Sequence, residues 1–199
     1  TVAQRLMVNG LRDLQAIPAE QLVAGCPASI IPEGPKKNTF RFGPIVDGVV
    51  LPDAPMRLAA RGAFHRVPIM LGTNRDEMTF FLGGSKNGIP RRKAGLRLLT
   101  HAIHKEHTRA ILTGFPCPRD EDAATVFREL MTVSAFTAPC RLFARLCADQ
   151  GAEVYLYHFT RVAPGTARSV LGATHGNEIA YVFGSLGDRF GGATDHKVS

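Results

Sequence analysis

Two short, almost wholly apolar runs set the architecture open to this chain. One is Val67-Pro68-Ile69-Met70-Leu71-Gly72; the other is Val154-Tyr155-Leu156-Tyr157, within Glu153 to Phe159. Such runs suit parallel strands buried on both faces. Helix-patterned segments lie between them, over residues 90–113 and from Asp120 to Gln150, the second interrupted near Pro139. Parallel neighbours need long connections of this kind, because the chain must return to the same end of the sheet. The pattern predicts an α/β fold with helical crossovers. Two strands are few for a parallel sheet, so residues 1–199 are expected to form part of a larger domain, cut at both ends.

The remaining segments read more simply. Residues 3–16 carry Leu6, Leu11 and Leu14 among polar residues and predict a helix. A short helical turn is expected from Pro18 to Gly25, and another from Pro55 to Arg61 with Gly62 just past its end. Between them, Cys26 to Pro55 is rich in Pro and Gly and reads as loop with short extended pieces, notably Phe40-Arg41-Phe42. Asp47-Gly48 after Ile45-Val46 favours a tight hairpin turn. Ile179 to Phe183 predicts a further helix or turn.

Composition excludes several classes. The longest run without Asp, Glu, Lys or Arg is Gln21 to Pro32, twelve residues with two prolines; a membrane-spanning helix needs about 20 apolar residues. The net charge of +7 comes from 18 Arg and 6 Lys against 17 acidic residues. The densest basic stretch, Arg91 to Arg109, has no Phe, Tyr or Trp among its charges. A single-strand nucleic-acid surface uses stacking rings, so this stretch reads as a solvated helix face. Cys26, Cys117, Cys140 and Cys147 form no CxxC pair, which argues against zinc. They read as buried free thiols, or as a secreted protein's single bridge. His101 and His104 would lie about 60° apart on a helix, and His107 about 120° from His101. That spread lacks the i,i+4 pair of a helical zinc site, and no metal site is expected.

Open α/β sheets place their chemistry at the C-terminal ends of strands. Glu77 follows the first apolar run through Thr73-Asn74-Arg75-Asp76, and His175 follows the second after a loop. A carboxylate beside an imidazole fixes its tautomer and stabilises its charged form, leaving the other nitrogen as a general base. On spacing alone, any carboxylate and histidine would serve, and a surface Glu with a hydrogen-bonded loop His stands beside this reading.

The wording of these segments is more specific. Phe42-Gly43-Pro44-Ile45-Val46-Asp47-Gly48 with Leu51-Pro52, then Gly62 to Glu77, then Val154 to Phe159, then Gly172-Ala173-Thr174-His175-Gly176-Asn177-Glu178-Ile179 and Tyr181-Val182-Phe183-Gly184 follow one order. Over residues 10–190 this resembles the carboxylesterase type B (cholinesterase-like) family. The resemblance implies a partial α/β-hydrolase fold and a Ser–Glu–His triad, with Glu77 as acid and His175 as base. It implies a small-molecule ester substrate and no metal or organic cofactor. Phe80 and Phe81 match positions where aromatic residues line the family's substrate gorge; packing in the core is the alternative for each. Met78 stands where the family has Gly. Glu178 matches a structural glutamate, and Asp76 is the fallback acid. Val133, near Thr132 and Phe136, stands where many members carry Asp.

The nucleophile is expected outside this sequence. An elbow requires Gly-x-Ser-x-Gly between strand and helix. The nearest run, Gly83-Gly84-Ser85-Lys86-Asn87, has Asn at the last glycine and follows the acid rather than preceding it. Ser85 therefore reads as a loop residue. The sequence predicts the proton-handling half of a serine carboxylic-ester hydrolase, inactive alone. A non-catalytic cholinesterase-like adhesion protein of the same fold is the alternative, and retention of both Glu77 and His175 argues against it.

Overall fold

The structure, a computed structural model, describes residues 4, 6–25, 44–82, 88–162, 171–187 and 195. The chain divides into two compact units, Thr1–Ala54 and Pro55–Ser199. Cys26, the Phe40-Arg41-Phe42 piece and Ser85 with its neighbours lie outside the described residues.

In the first unit, α1 spans Leu11–Ala16 and α2 spans Ala19–Gly25. The helix expected over 3–16 is interrupted between Leu6 and Gly10, ahead of α1. Met7 adopts a left-handed backbone (φ 54°), and Gly10 is extended ahead of the helix. The Asp13 carboxylate accepts the Asn9 N–H at 3.1 Å across this start. No strand forms at 44–54, so Asp47-Gly48 does not close a hairpin. The Asp47 carboxylate instead accepts the N–H groups of Val49, Val50 and Leu51 at 2.9–3.0 Å, taking donors that a ladder would need.

The second unit contains the sheet. After α3 (Pro55–Ala60), β1 runs Ile69–Asn74 and pairs in parallel with β2, Val154–Phe159. The register joins Ile69 with Val154 and Asn74 with Phe159. The first strand sits two residues later than its apolar run: Pro68 has no N–H to donate, whereas the Ile69 N–H reaches the Glu153 carbonyl at 2.8 Å. At Gly72, paired with Tyr157, an added Cβ would lie 2.4 Å from the tyrosine ring and its carbonyl oxygen, so only glycine fits. The strands are not buried on both faces as expected. Met70 is 74% exposed, and Tyr155 and Leu156 are also exposed. Among the described residues the sheet has two strands, and no layer lies over these side chains.

Helices make the connection. They are α4 (Glu77–Leu82), α5 (Lys93–His104), α6 (Thr108–Gly114), α7 (Ala123–Thr132) and α8 (Ala138–Asp149). The helix expected over 90–113 is broken by a 3₁₀ turn at Lys105–His107, where Lys105 has φ 47°. His107 therefore lies on a different element from His101 and His104. In α7, Ala123, Val126, Phe127 and Leu130 recur at helical spacing on one buried stripe; the first three form a core with Leu96 of α5. A π-turn at Val133–Thr137 joins α7 to α8. Pro139, near the start of α8, lacks the N–H that would bond back one turn to Ala135. The interruption expected near Pro139 falls there. A short helix, α9, spans Ile179–Val182.

The architecture is a small parallel sheet with flanking helices, that of a partial α/β-hydrolase fold. Among the described residues, no helix is long and apolar enough to cross a membrane. Cys117, Cys140 and Cys147 are free thiols.

Candidate active site

The C-terminal end of β1 leads into Glu77. Thr73 and Asn74 are buried there, and the chain turns through Arg75-Asp76 into α4, whose first residue is Glu77. Glu77 is 5% exposed. Its Oε1 accepts the Asn74 N–H at 2.7 Å, and its Oε2 lies 2.7 Å from His175 Nδ1. Each carboxylate oxygen thus has a donor, which lets a buried charge persist. Nδ1 faces the carboxylate and donates, so Nε2 is left as the basic nitrogen. The His175 side chain is 47% exposed, so the couple has one dry partner and one wet one.

His175 comes from the segment beyond β2, and Asp76 ties that segment down. The Asp76 N–H donates to the Ala173 carbonyl at 3.0 Å, and the Ala173 N–H donates to Asp76 Oδ2 at 2.8 Å. Arg75 Nε also donates to that oxygen, at 3.0 Å. The Asp76 carboxylate is occupied by this clamp, while His175 bonds to Glu77. Gly172 makes the clamp possible: its φ is +74°, and a Cβ there would meet Asp76 Oδ2 at 2.2 Å. The Thr79 hydroxyl lies 2.5 Å from the Leu171 carbonyl oxygen and 2.8 Å from the Thr174 hydroxyl, a second tie to the same loop.

Asn74 holds the floor of the turn. Its side-chain amide donates to the Thr174 carbonyl at 2.8 Å and to Glu178 Oε2. Glu178 therefore anchors the β1 end rather than facing the imidazole. Met78 is buried, and its N–H donates to Thr132 Oγ1 at 3.1 Å; the larger residue after Glu77 leaves the Glu77–His175 contact intact. Burial, and secondarily the Glu77 charge, push the Cys140 thiol up, partly offset by Arg141. The Tyr157 phenol is pushed up by burial and then by Glu178 and Glu77. Both groups stay neutral near pH 7.

Phe80 and Phe81 stand beside the imidazole, with ring centroids 6.5 and 5.1 Å from it. Phe80 is 56% exposed and Phe81 half-buried, so the two differ in access to solvent. Sequence reasoning did not find Phe136, whose ring lies 5.3 Å from the imidazole, nor the anchoring part of Asn74. Val133, where an Asp was noted as missing, belongs to the π-turn that carries Phe136, and was the nearest sequence signal to it. Elsewhere, His101 Nδ1 lies 3.3 Å from Thr108 Oγ1, and His104 Nε2 lies 3.3 Å from Ser134 Oγ. Among the described residues, no three His, Cys, Asp or Glu side chains group as metal ligands.

Known proteins share this sequence pattern. The carboxylesterase family matches residues 7–190. Fumonisin B1 esterase of Sphingopyxis macrogoltabida is 31% identical over 148 residues, 73% of this chain and 26% of that protein. Carboxylesterase 4A of Bos taurus is 30% identical over 167 residues, covering 77% and 30%. Acetylcholinesterase of Leptinotarsa decemlineata is 29% identical over 164 residues, covering 73% and 26%. The chain thus spans about a quarter to a third of the length of these curated relatives. The family match takes in both strands, the Asp76 clamp and the Glu77–His175 couple, and the chain belongs to the carboxylesterase family.

Proposed function

We propose that residues 1–199 carry the acid and base of a Ser–Glu–His carboxylic-ester hydrolase, and that the serine comes from another part of the same protein. The observation that carries this reading is the 2.7 Å contact between His175 Nδ1 and buried Glu77. In this mechanism Nε2 takes the proton from the serine hydroxyl as its oxygen attacks the ester carbonyl carbon. Glu77 stabilises the resulting imidazolium. Nε2–H then gives its proton to the departing alcohol, leaving an acyl-serine. Water repeats the sequence, releasing the acid and regenerating the serine. Phe80, exposed beside the imidazole, lines the side from which a small-molecule ester approaches, and Phe81 backs it.

The test has two arms. The full-length protein should hydrolyse an activated ester, and Glu77→Gln should lower kcat by about 10⁴-fold, as expected when the imidazole loses its orienting acid. Residues 1–199 alone should hydrolyse it no faster than the same chain with His175→Ala. An unchanged rate in Glu77→Gln, or a clear His175-dependent rate in the isolated chain, overturns the reading.

A further inference from the structure

One hydrogen bond to Nδ1 fixes a point on the imidazole, but leaves the ring free to swing about that point. His175 is half-exposed, so something else must limit the swing. Two half-buried rings meet the imidazole: Phe81 of α4 at 5.1 Å and 47°, and Phe136 of the π-turn at 5.3 Å and 49°. These two rings stack on each other at 6.0 Å and 18°, making one surface from two separate elements. Both contacts lie within the range at which aromatic rings attract. Phe80 stands farther off, at 6.5 Å, and is mostly exposed.

The π-turn is itself held. The Thr132 hydroxyl, immediately before it, accepts the Met78 N–H next to the acid. Ser134 Oγ within it lies 3.3 Å from His104 Nε2 at the end of α5. The stretch from Thr132 to Phe136 therefore touches the helix that begins with Glu77 through a hydroxyl and His175 through a ring. A π-turn displaces the side chains after it relative to a regular helix, and such turns concentrate at functional sites.

We propose that Phe136 is a positioning residue for His175: stacked with Phe81, it confines the imidazole to the orientation in which Nδ1 meets Glu77, and so fixes where Nε2 points. This rests on the reading of Glu77 and His175 as acid and base. Phe136 touches neither the ester nor the serine in this scheme; it acts only through the ring.

The experiment is run on the full-length protein. The proton between Nδ1 and Glu77 should give a resolved downfield resonance by NMR, assigned by its loss in His175→Ala. Phe136→Leu keeps most of the apolar volume but removes the flat ring. It should broaden that resonance into solvent exchange and lower kcat by about 10- to 100-fold, with KM within about twofold. Phe136→Tyr, which keeps the ring, should restore both. Phe80→Ala should leave the resonance sharp. A folded Phe136→Leu protein with a sharp resonance and wild-type kcat overturns the proposal, as does a change confined to KM. Failure of the acid–base reading looks different, since Glu77→Gln would then leave the rate unchanged.

Discussion

Leu130 and Met70 are apolar residues in the same unit, yet Leu130 is fully enclosed and Met70 faces solvent. The contrast extends to their surroundings. The α5–α7 region buries Leu96, Ala123 and Phe127 by matching stripes on two helices. The strands carry the most apolar wording in the chain and leave much of it uncovered. Only the C-terminal end of β1 is enclosed, and the buried groups gathered there are polar: Thr73, Asn74, Glu77 and Thr174. One region is held by volume, which tolerates no missing methylenes. The other is held by hydrogen bonds gathered around a buried carboxylate, with Asn74 Oδ1 left without a partner among the described residues. A site with fixed proton positions belongs in the second.

The largest test of this contrast is Leu130→Ala. It should lower stability by about 2–5 kcal/mol in chemical denaturation, because a fully enclosed side chain leaves a cavity. Gly172→Ala should come next, at about 1–3 kcal/mol, from a left-handed backbone forced on a residue with a Cβ. Its own signature is faster hydrogen exchange at the Ala173 amide as the Asp76 clamp gives way. Met70→Ser should stay within about 0.5 kcal/mol of the parent, as exposed substitutions do. A Met70→Ser cost equal to that of Leu130→Ala would erase the distinction between the two regions.

The smallest effect concerns the first unit. The N–H groups of Leu51, Val49 and Val50 hold the Asp47 carboxyl below its usual range. Because the folded form favours the ionised group, its contribution is present in full above the ordinary carboxylate value. It is lost as pH falls through the lowered one. Amide shifts of Val49 to Leu51 should follow that titration, and Asp47→Ala should remove the response.

Much of this was legible in the sequence, for physical reasons. An apolar run between turn residues marks a strand, and polar groups gather just beyond its C-terminal end, so the meeting of Glu77 with His175 could be expected from the sequence. The start of β1 was missed by two residues because Val67 and Pro68 share the hydropathy of the strand but not its hydrogen bonds. The exposure of Met70 was hidden because side-chain character tells what a strand is suited to pack against, not what lies beside it. Phe136 was hidden for another reason. Helical periodicity assigns it a direction that the π-turn changes, and the turn depends on a missing N–H at Pro139.

Gly72 has no functional group, yet the spacing of the Glu77–His175 pair descends from it. The Tyr157 ring and carbonyl lie so close that a hydrogen is the largest substituent the site admits. Sliding β1 by one step would bring Leu71 or Thr73 into that gap and turn alternate side chains to the opposite face. The alignment is therefore keyed by an absence of bulk, and an imidazole and a carboxylate drawn from distant stretches of chain inherit their meeting point from it.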